Sequence, residues 1–359
     1  MKLHRPLLAA AAAALFAGSA LTFAFSPAPA VADDDTLTLI GSDFPPNVSD
    51  VEDIVAERAG YFKQEHVNVI KTFAPNAAAC FAGASTGKGD ICISSVEPAI
   101  LGYSKGLRLQ VFFSRVHEYD YLLAVLDDSP IRTLADFRGK DIGEPNVASS
   151  TEIPADDMLQ GAGVKRSEYN YVAVGVGGAA LSALTSGKVA ALSDSSVEIG
   201  QLSAVGHAKF RLFRDPILDS IPNVGFAARP DVIATKGDLL GRFARAIVKA
   251  SLLIRMNPQV AARYALMGEN VTKSFDPNAL KLEAAELVAL QDDLAGADPA
   301  NPRIGALDLR GMALYCRFFA DSGRTPALVP AAAIVTNQFI PFANDFDRKA
   351  WLAEVKKMK

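Results

Sequence analysis

Short apolar segments alternate with helical ones along most of this chain, and that alternation restricts the fold more than any other feature. Residues 37–40, 67–73, 91–93 and 107–114 read as strands, with helices starting near Ser49 and Asn76 between them. Segments 121–126, 141–143, 171–174, 189–192, 210–213 and 224–228 continue the series. Short strands separated by helices require an α/β fold with largely parallel sheets. Arg229-Pro230 opens a mostly helical remainder, with helix candidates at 238–256, 278–294, 307–320 and 348–356.

Local signals divide the series. Ser49 followed by Glu52 reads as a capping box, and Gly60 as the stop of that helix. Asp127-Asp128-Ser129-Pro130 breaks the chain, and Thr133 with Asp136 caps a single helical turn. One lobe is therefore expected over 33–122 and again over 229–359, with a second lobe over 123–228. Two adjacent crossings between them make a hinge.

Residues 1–32 carry Lys2 and Arg5, an apolar run over 7–25, and Ala30-Val31-Ala32 before Asp33. That is the layout of a cleavable secretory signal, with cleavage expected after Ala32 and a periplasmic destination. Without Lys2 and Arg5 the totals are 34 basic and 40 acidic residues, a net charge of about −6. No basic patch recommends nucleic acid as a partner, and no second apolar run reaches membrane-spanning length. Cys80, Cys92 and Cys316 would meet an oxidising compartment, which allows one disulfide and one free thiol, Cys80 with Cys92 being the nearer pair in sequence. The expectation, however, is three buried reduced thiols packed as small hydrophobes.

Four stretches carry a family resemblance: Gly60-Tyr61-Phe62-Lys63-Gln64-Glu65 with Val67-Asn68-Val69, Gly89-Asp90-Ile91 leading to Ser94-Ser95, the run from Ser129-Pro130 to Gly143, and the run from Ala179 to Ala191. In that order and spacing, over roughly 36–265, the chain resembles the nitrate, sulfonate, taurine and thiamine-precursor binding proteins of ABC importers. The resemblance implies a type II periplasmic binding protein, α/β and two-lobed, with two hinge crossings and a cleft between the lobes. It also implies a monomer that closes on a small solute, needs no cofactor and delivers its cargo to an inner-membrane permease and its ATPase.

Ligands of open α/β sheets bind at the carboxyl ends of strands, where loops and helix N-termini offer free backbone donors. In the first lobe those positions are Ser42, Asp43, Phe44, Asn76, Ala77, Ser94, Ser95, Glu97, Arg115 and Tyr119. In the second they are Glu144, Asn146, Ser149, Ser150, Thr151, Gly177, Asp194 and Ser195. The serines and Asn76 read equally as helix caps. Phe44, Tyr119 and Tyr121 are candidates to pack on an organic ligand body. Arg115 is the cation expected to hold a carboxylate or sulfonate through a two-pronged contact, unless Glu118 or Asp120 pairs with it. Asp43, Glu97, Glu144 and Asp194 weigh against a bare inorganic anion and suit a ligand with amino or ring N–H donors.

Enzyme motifs are weaker. Gly175-Val176-Gly177-Gly178-Ala179-Ala180 fits a dinucleotide-binding turn, with Asp194 where a ribose-binding acid would stand, which makes an exported NAD(P)-dependent enzyme the alternative. Gly83-Ala84-Ser85-Thr86-Gly87 has the letters of a nucleophile elbow but follows a helix rather than a strand. His117, Glu118 and Asp120 read as a solvated loop rather than a metal site. Where the related yeast pyrimidine synthases carry a cysteine-rich iron motif, this chain has Cys80 alone after Asn76-Ala77-Ala78-Ala79.

Overall fold

The computed structural model describes residues 35–41, 51–115, 121–215, 224–269 and 303–358, with the helical positions Leu280, Ala284 and Leu287. The expected export signal, Ser42, Asp43, Phe44, Ser49, Tyr119, the trio at 117–120 and most of the 278–294 helix candidate lie outside the described residues. Among the described residues, no helix is long and apolar enough to cross a membrane.

Two five-stranded sheets carry the fold. The first holds β1 (Thr36–Gly41), β2 (Asn68–Phe73), β3 (Ile91–Ser95), β4 (Gln110–Ser114) and β10 (Val224–Ala228), in the order β2-β1-β3-β10-β4. The second holds β5 (Tyr121–Leu126), β6 (Lys140–Glu144), β7 (Tyr169–Ala173), β8 (Ala191–Ser195) and β9 (Phe210–Phe213), in the order β7-β6-β8-β5-β9. Around them run α1 (Val51–Arg58), α2 (Tyr61–Gln64), α3 (Ala77–Ser85), α4 (Glu97–Ser104), α5 (Glu152–Gly161), α6 (Gly178–Thr185) and α7 (Ser196–Gly206). After the last strand come α8 (Pro230–Thr235), α9 (Gly237–Met256), α10 (Pro258–Glu269), α11 (Leu309–Asp321), α12 (Ala331–Ile334), α13 (Ile340–Asn344) and α14 (Arg348–Val355).

The sheets are not wholly parallel. β10 runs antiparallel to β3 and β4, and β5 runs antiparallel to β8 and β9. The chain passes to the second sheet after Arg115 and is back in the first at Val224. The expected return near 228 is thereby corrected: Val224–Ala228 pairs inside the first sheet. Because β5 and β10 run antiparallel to their neighbours, each crossing, β4 to β5 and β9 to β10, joins the carboxyl-end edge of one sheet to the carboxyl-end edge of the other.

Period-two alternation sorts side chains between the faces of each sheet. Leu37, Leu39, Ile91, Ile93 and Phe226 enter one core with α1, α9 and α10, whereas Ile40, Cys92 and Ala227 enter the core beneath α3, α4 and α11. In the second sheet Leu123 and Val125 face one core, and Leu122 and Ala124 the other. The Gly60-Tyr61-Phe62 motif is structural. Gly60 adopts a left-handed φ of 77° between α1 and α2. Phe62 stacks on Phe243 of α9 at 5.3 Å, and Tyr61 is buried near Trp351 of α14.

Cys80 of α3 and Cys92 of β3 form a disulfide, with 5.7 Å between their Cα atoms. This corrects the expectation of three reduced thiols: a helix packed directly over its following strand brings both residues together. Cys316 remains a buried free thiol. At the open edge of the first sheet, Lys71 of β2 pairs with Asp53 and Glu57 of α1 at 2.6 and 2.9 Å.

Candidate binding cleft between the two sheets

The first lobe's contribution starts with Asn76, which caps α3 by accepting a hydrogen bond from the Ala79 amide at 2.9 Å. Its side-chain nitrogen also donates to the Val147 carbonyl of the second lobe at 3.4 Å. Ala77 is the first residue of α3, and Ser94 pairs through its backbone with Gly225. Ser95 ends β3, and its hydroxyl donates to Ser150 across the lobes at 2.6 Å. Asn76 thus combines a helix cap with a contact to the second lobe.

Glu97 opens α4 with no solvent exposure and accepts the Tyr315 hydroxyl at 2.9 Å. Arg115 follows β4 and is 4% exposed. Its Nε donates to Glu52 Oε2 at 2.8 Å, and its Nη2 contacts the same oxygen. Glu52, in the first turn of α1, is thus a partner of Arg115 that the sequence reading did not name. Burial pushes the Glu52 carboxyl up, opposed by the pull of Arg115.

In the second lobe, Glu144 ends β6, and its carboxylate accepts the Ser149 amide at 3.4 Å. Burial, reinforced by the neighbouring Glu152, pushes Glu144 up to about 8. The Ser149 hydroxyl oxygen accepts from the Thr151 hydroxyl at 3.1 Å, and Ser193 donates to the Thr151 carbonyl at 2.9 Å. Asn146 is half-buried in the same loop. Ser195 caps α7 by accepting from the Glu198 amide at 3.1 Å, and Asp194 accepts the Ser195 amide at 2.8 Å. These two residues support their own loop and helix. Gly177 precedes α6 with φ 59°, a turn that favours glycine.

Between α3, α4 and α5 lies a cavity of about 420 Å³ with walls from both lobes. Phe81, Leu101, Leu107 and Ile153 give it apolar surface; Glu97, Glu152, Asp156 and Lys105 give it charge. Asp156 accepts the hydroxyls of Tyr169 and Tyr171 at 2.7 and 3.0 Å, while Arg166 stands 3.5 Å from Asp156 and 3.8 Å from Glu152. Of the residues read from sequence, Glu97, Ser149 and Ser150 line this cavity, and Asn76, Ser95 and Glu144 adjoin its lining through bonds to the 144–150 loop or to Ser150. Sequence reasoning missed Glu52, Glu152, Asp156 and Tyr315. The spacing of Glu152 and Asp156, one turn apart on a helix that follows a strand-end loop, was the available signal; Tyr315 offered none.

The glycine turn lacks the setting of a dinucleotide site. β7 is an edge strand, and β6 separates it from β8, at whose end Asp194 stands. In a dinucleotide fold the ribose-binding acid closes the strand next to the glycine turn, at a switch point of the sheet. Among the described residues, no group of His, Cys, Asp and Glu is arranged to hold a metal.

Residues 48–261 match the model of the NMT1/THI5-like family. The chain belongs to that family. Among solved structures, a protein of Bordetella bronchiseptica RB50 superposes with a TM-score of 0.71 at 18% identity, covering 87% of this chain and 97% of its own. The alkanesulfonate-binding protein SsuA of Xanthomonas axonopodis pv. citri, bound to MOPS, gives 0.63 at 15% identity over 84% and 98%. The desulfurization enzyme DSZB gives 0.52 at 16% over 85% and 98%. Among curated proteins none matches this sequence. At such identities the likenesses fix the fold, that of the two-lobed periplasmic binding proteins, and the fold serves both binding and catalysis.

Proposed function

We propose that this NMT1/THI5-like protein is the solute receptor of an ABC importer. It is exported by residues 1–32, acts in the periplasm as a monomer, and hands its cargo to a membrane permease and its ATPase. The observation that carries this reading is the pair of direct bonds, Ser95 to Ser150 and Asn76 to Val147, that join strand-end loops of opposite lobes beside a cavity lined by both. Loops that meet in this way enclose a solute as the lobes swing together.

The cavity favours a small organic solute with N–H donors over sulfonate, nitrate or a carboxylate. Glu97, Glu152 and Asp156 outnumber Lys105 in its lining even with Arg166 behind the last two acids, and the guanidinium of Arg115 is engaged by Glu52. Apolar walls suit a ring or alkyl body, as in a thiamine pyrimidine precursor. Thiol-dependent turnover is disfavoured, because burial pushes the free Cys316 thiol up to about 11.

Melting of the mature protein against sulfonates, nitrate, aromatic acids and aminopyrimidines tests both levels. A bound solute at about 100 times its Kd stabilises by about 2.7 kcal/mol, a shift of several degrees. Aminopyrimidines are expected to give that shift. A shift with sulfonates or nitrate alone overturns the charge reading, and chemical conversion of any solute overturns the receptor.

A further inference from the structure

One line of the second lobe touches the first at every step. Val147 accepts from Asn76, Ser150 accepts from Ser95, Ile153 packs against the core beneath α4 and α11, and Asp157 pairs with Arg324 just beyond α11. Ile153 and Asp157 lie one turn apart on one face of α5, and Val147 and Ser150 belong to the loop that leads into it. The first two contacts and Ile153 border the cavity. Asp157 and Arg324 do not line it.

We propose that the Asp157–Arg324 pair is a latch that holds the lobes closed in the absence of solute. Arg324 is set in place before the lobes meet: its guanidinium lies over the rings of Phe318 and Phe319, 5.6 and 5.8 Å from their centres, and donates to the Ser322 hydroxyl at 3.1 Å. A cation fixed in this way loses little freedom on pairing. Asp157 faces Arg324 with Asp156 and Asp215 as its acidic neighbours, and burial pushes its carboxyl up to about 6 against the pull of Arg324. Both side chains are half-buried, so their attraction modestly favours the docked lobes, and removing either partner leaves the other unpaired. The pair therefore fixes the docked position of α5. The ligand-free receptor then includes a closed population whose size is set outside the binding cavity, and solute affinity scales with the fraction of molecules competent to admit it.

The test needs no knowledge of the solute. In the full mature protein without ligand, the pair Ser95→Cys and Ser150→Cys reports closure by its rate of disulfide formation. Adding Arg324→Ala or Asp157→Asn is expected to slow that rate about fivefold, as for loss of about 1 kcal/mol. The charge-swapped variant, Arg324→Asp with Asp157→Arg, is expected to restore much of it. An unchanged rate in both single variants, or a swapped variant as slow as the singles, overturns the latch. Melting of each variant, measured alongside, separates slow closure from loss of the fold.

Discussion

Arg115 and Glu52 stand 63 residues apart in sequence and share one buried oxygen contact. Arg115→Ala leaves the Glu52 carboxylate without its cation in a dry site, at a cost of about 3–5 kcal/mol. The melting temperature should drop sharply while solute binding at low temperature persists. Lost binding with unchanged melting would return Arg115 to the ligand. Glu144 gives a pH prediction. Its folded value, about 8, lies above the ordinary carboxyl value of 4.5. The folded protein therefore binds more protons than the unfolded chain between those limits, and stability from this group is present below pH 4.5 and lost as pH rises toward 8. Glu144→Gln should flatten that decline in melting temperature; an identical slope in the variant refutes it. Sequence placed Glu97, Glu144, Ser95 and Ser150 near the cleft, because strand ends can be located from apolar runs. It did not name Glu52 as a partner of Arg115, because charge pairing depends on which helix the fold lays over which strand.

Elements were more legible than contacts. Segment 210–213 matches β9, and Thr133 and Asp136 form the expected capping box on a single turn. Helix α10 was missed, and the direction of β5 and β10 was hidden, since an isolated apolar run does not record which way it runs beside its neighbours. The disulfide joins α3 to β3 across a separation of 12 residues. Replacing both Cys80 and Cys92 by Ser should cost about 3 kcal/mol, read as a lower urea midpoint. Alkylation of the denatured, unreduced protein should label one cysteine, and reduction should expose three. Three labels before reduction would exclude the bond. The C-terminal segment docks on β4 through Gly305, whose carbonyl accepts the Ser114 amide at 2.8 Å with φ at 86°. A methyl group there would meet the Phe113 ring. Gly305→Ala should therefore destabilise by about 1–3 kcal/mol, measured by denaturant unfolding.

At the scale of the whole molecule, the two-lobed plan was legible because its motifs occur in order. What sequence concealed was the role of the C-terminal quarter, read only as part of a mostly helical return to the first lobe. Tyr315 reaches Glu97, and Arg324 reaches α5, so that segment both closes a core and contacts the second lobe. The placement of β10 between β3 and β4 bears on how such a chain is born. Strands 121–213 supply a complete sheet from contiguous sequence, whereas β4 gains its neighbour only when Val224 arrives, more than a hundred residues after Ser114. During synthesis the second sheet can therefore pair fully before the first, in which β3 and β4 keep unpaired edges until β10 arrives.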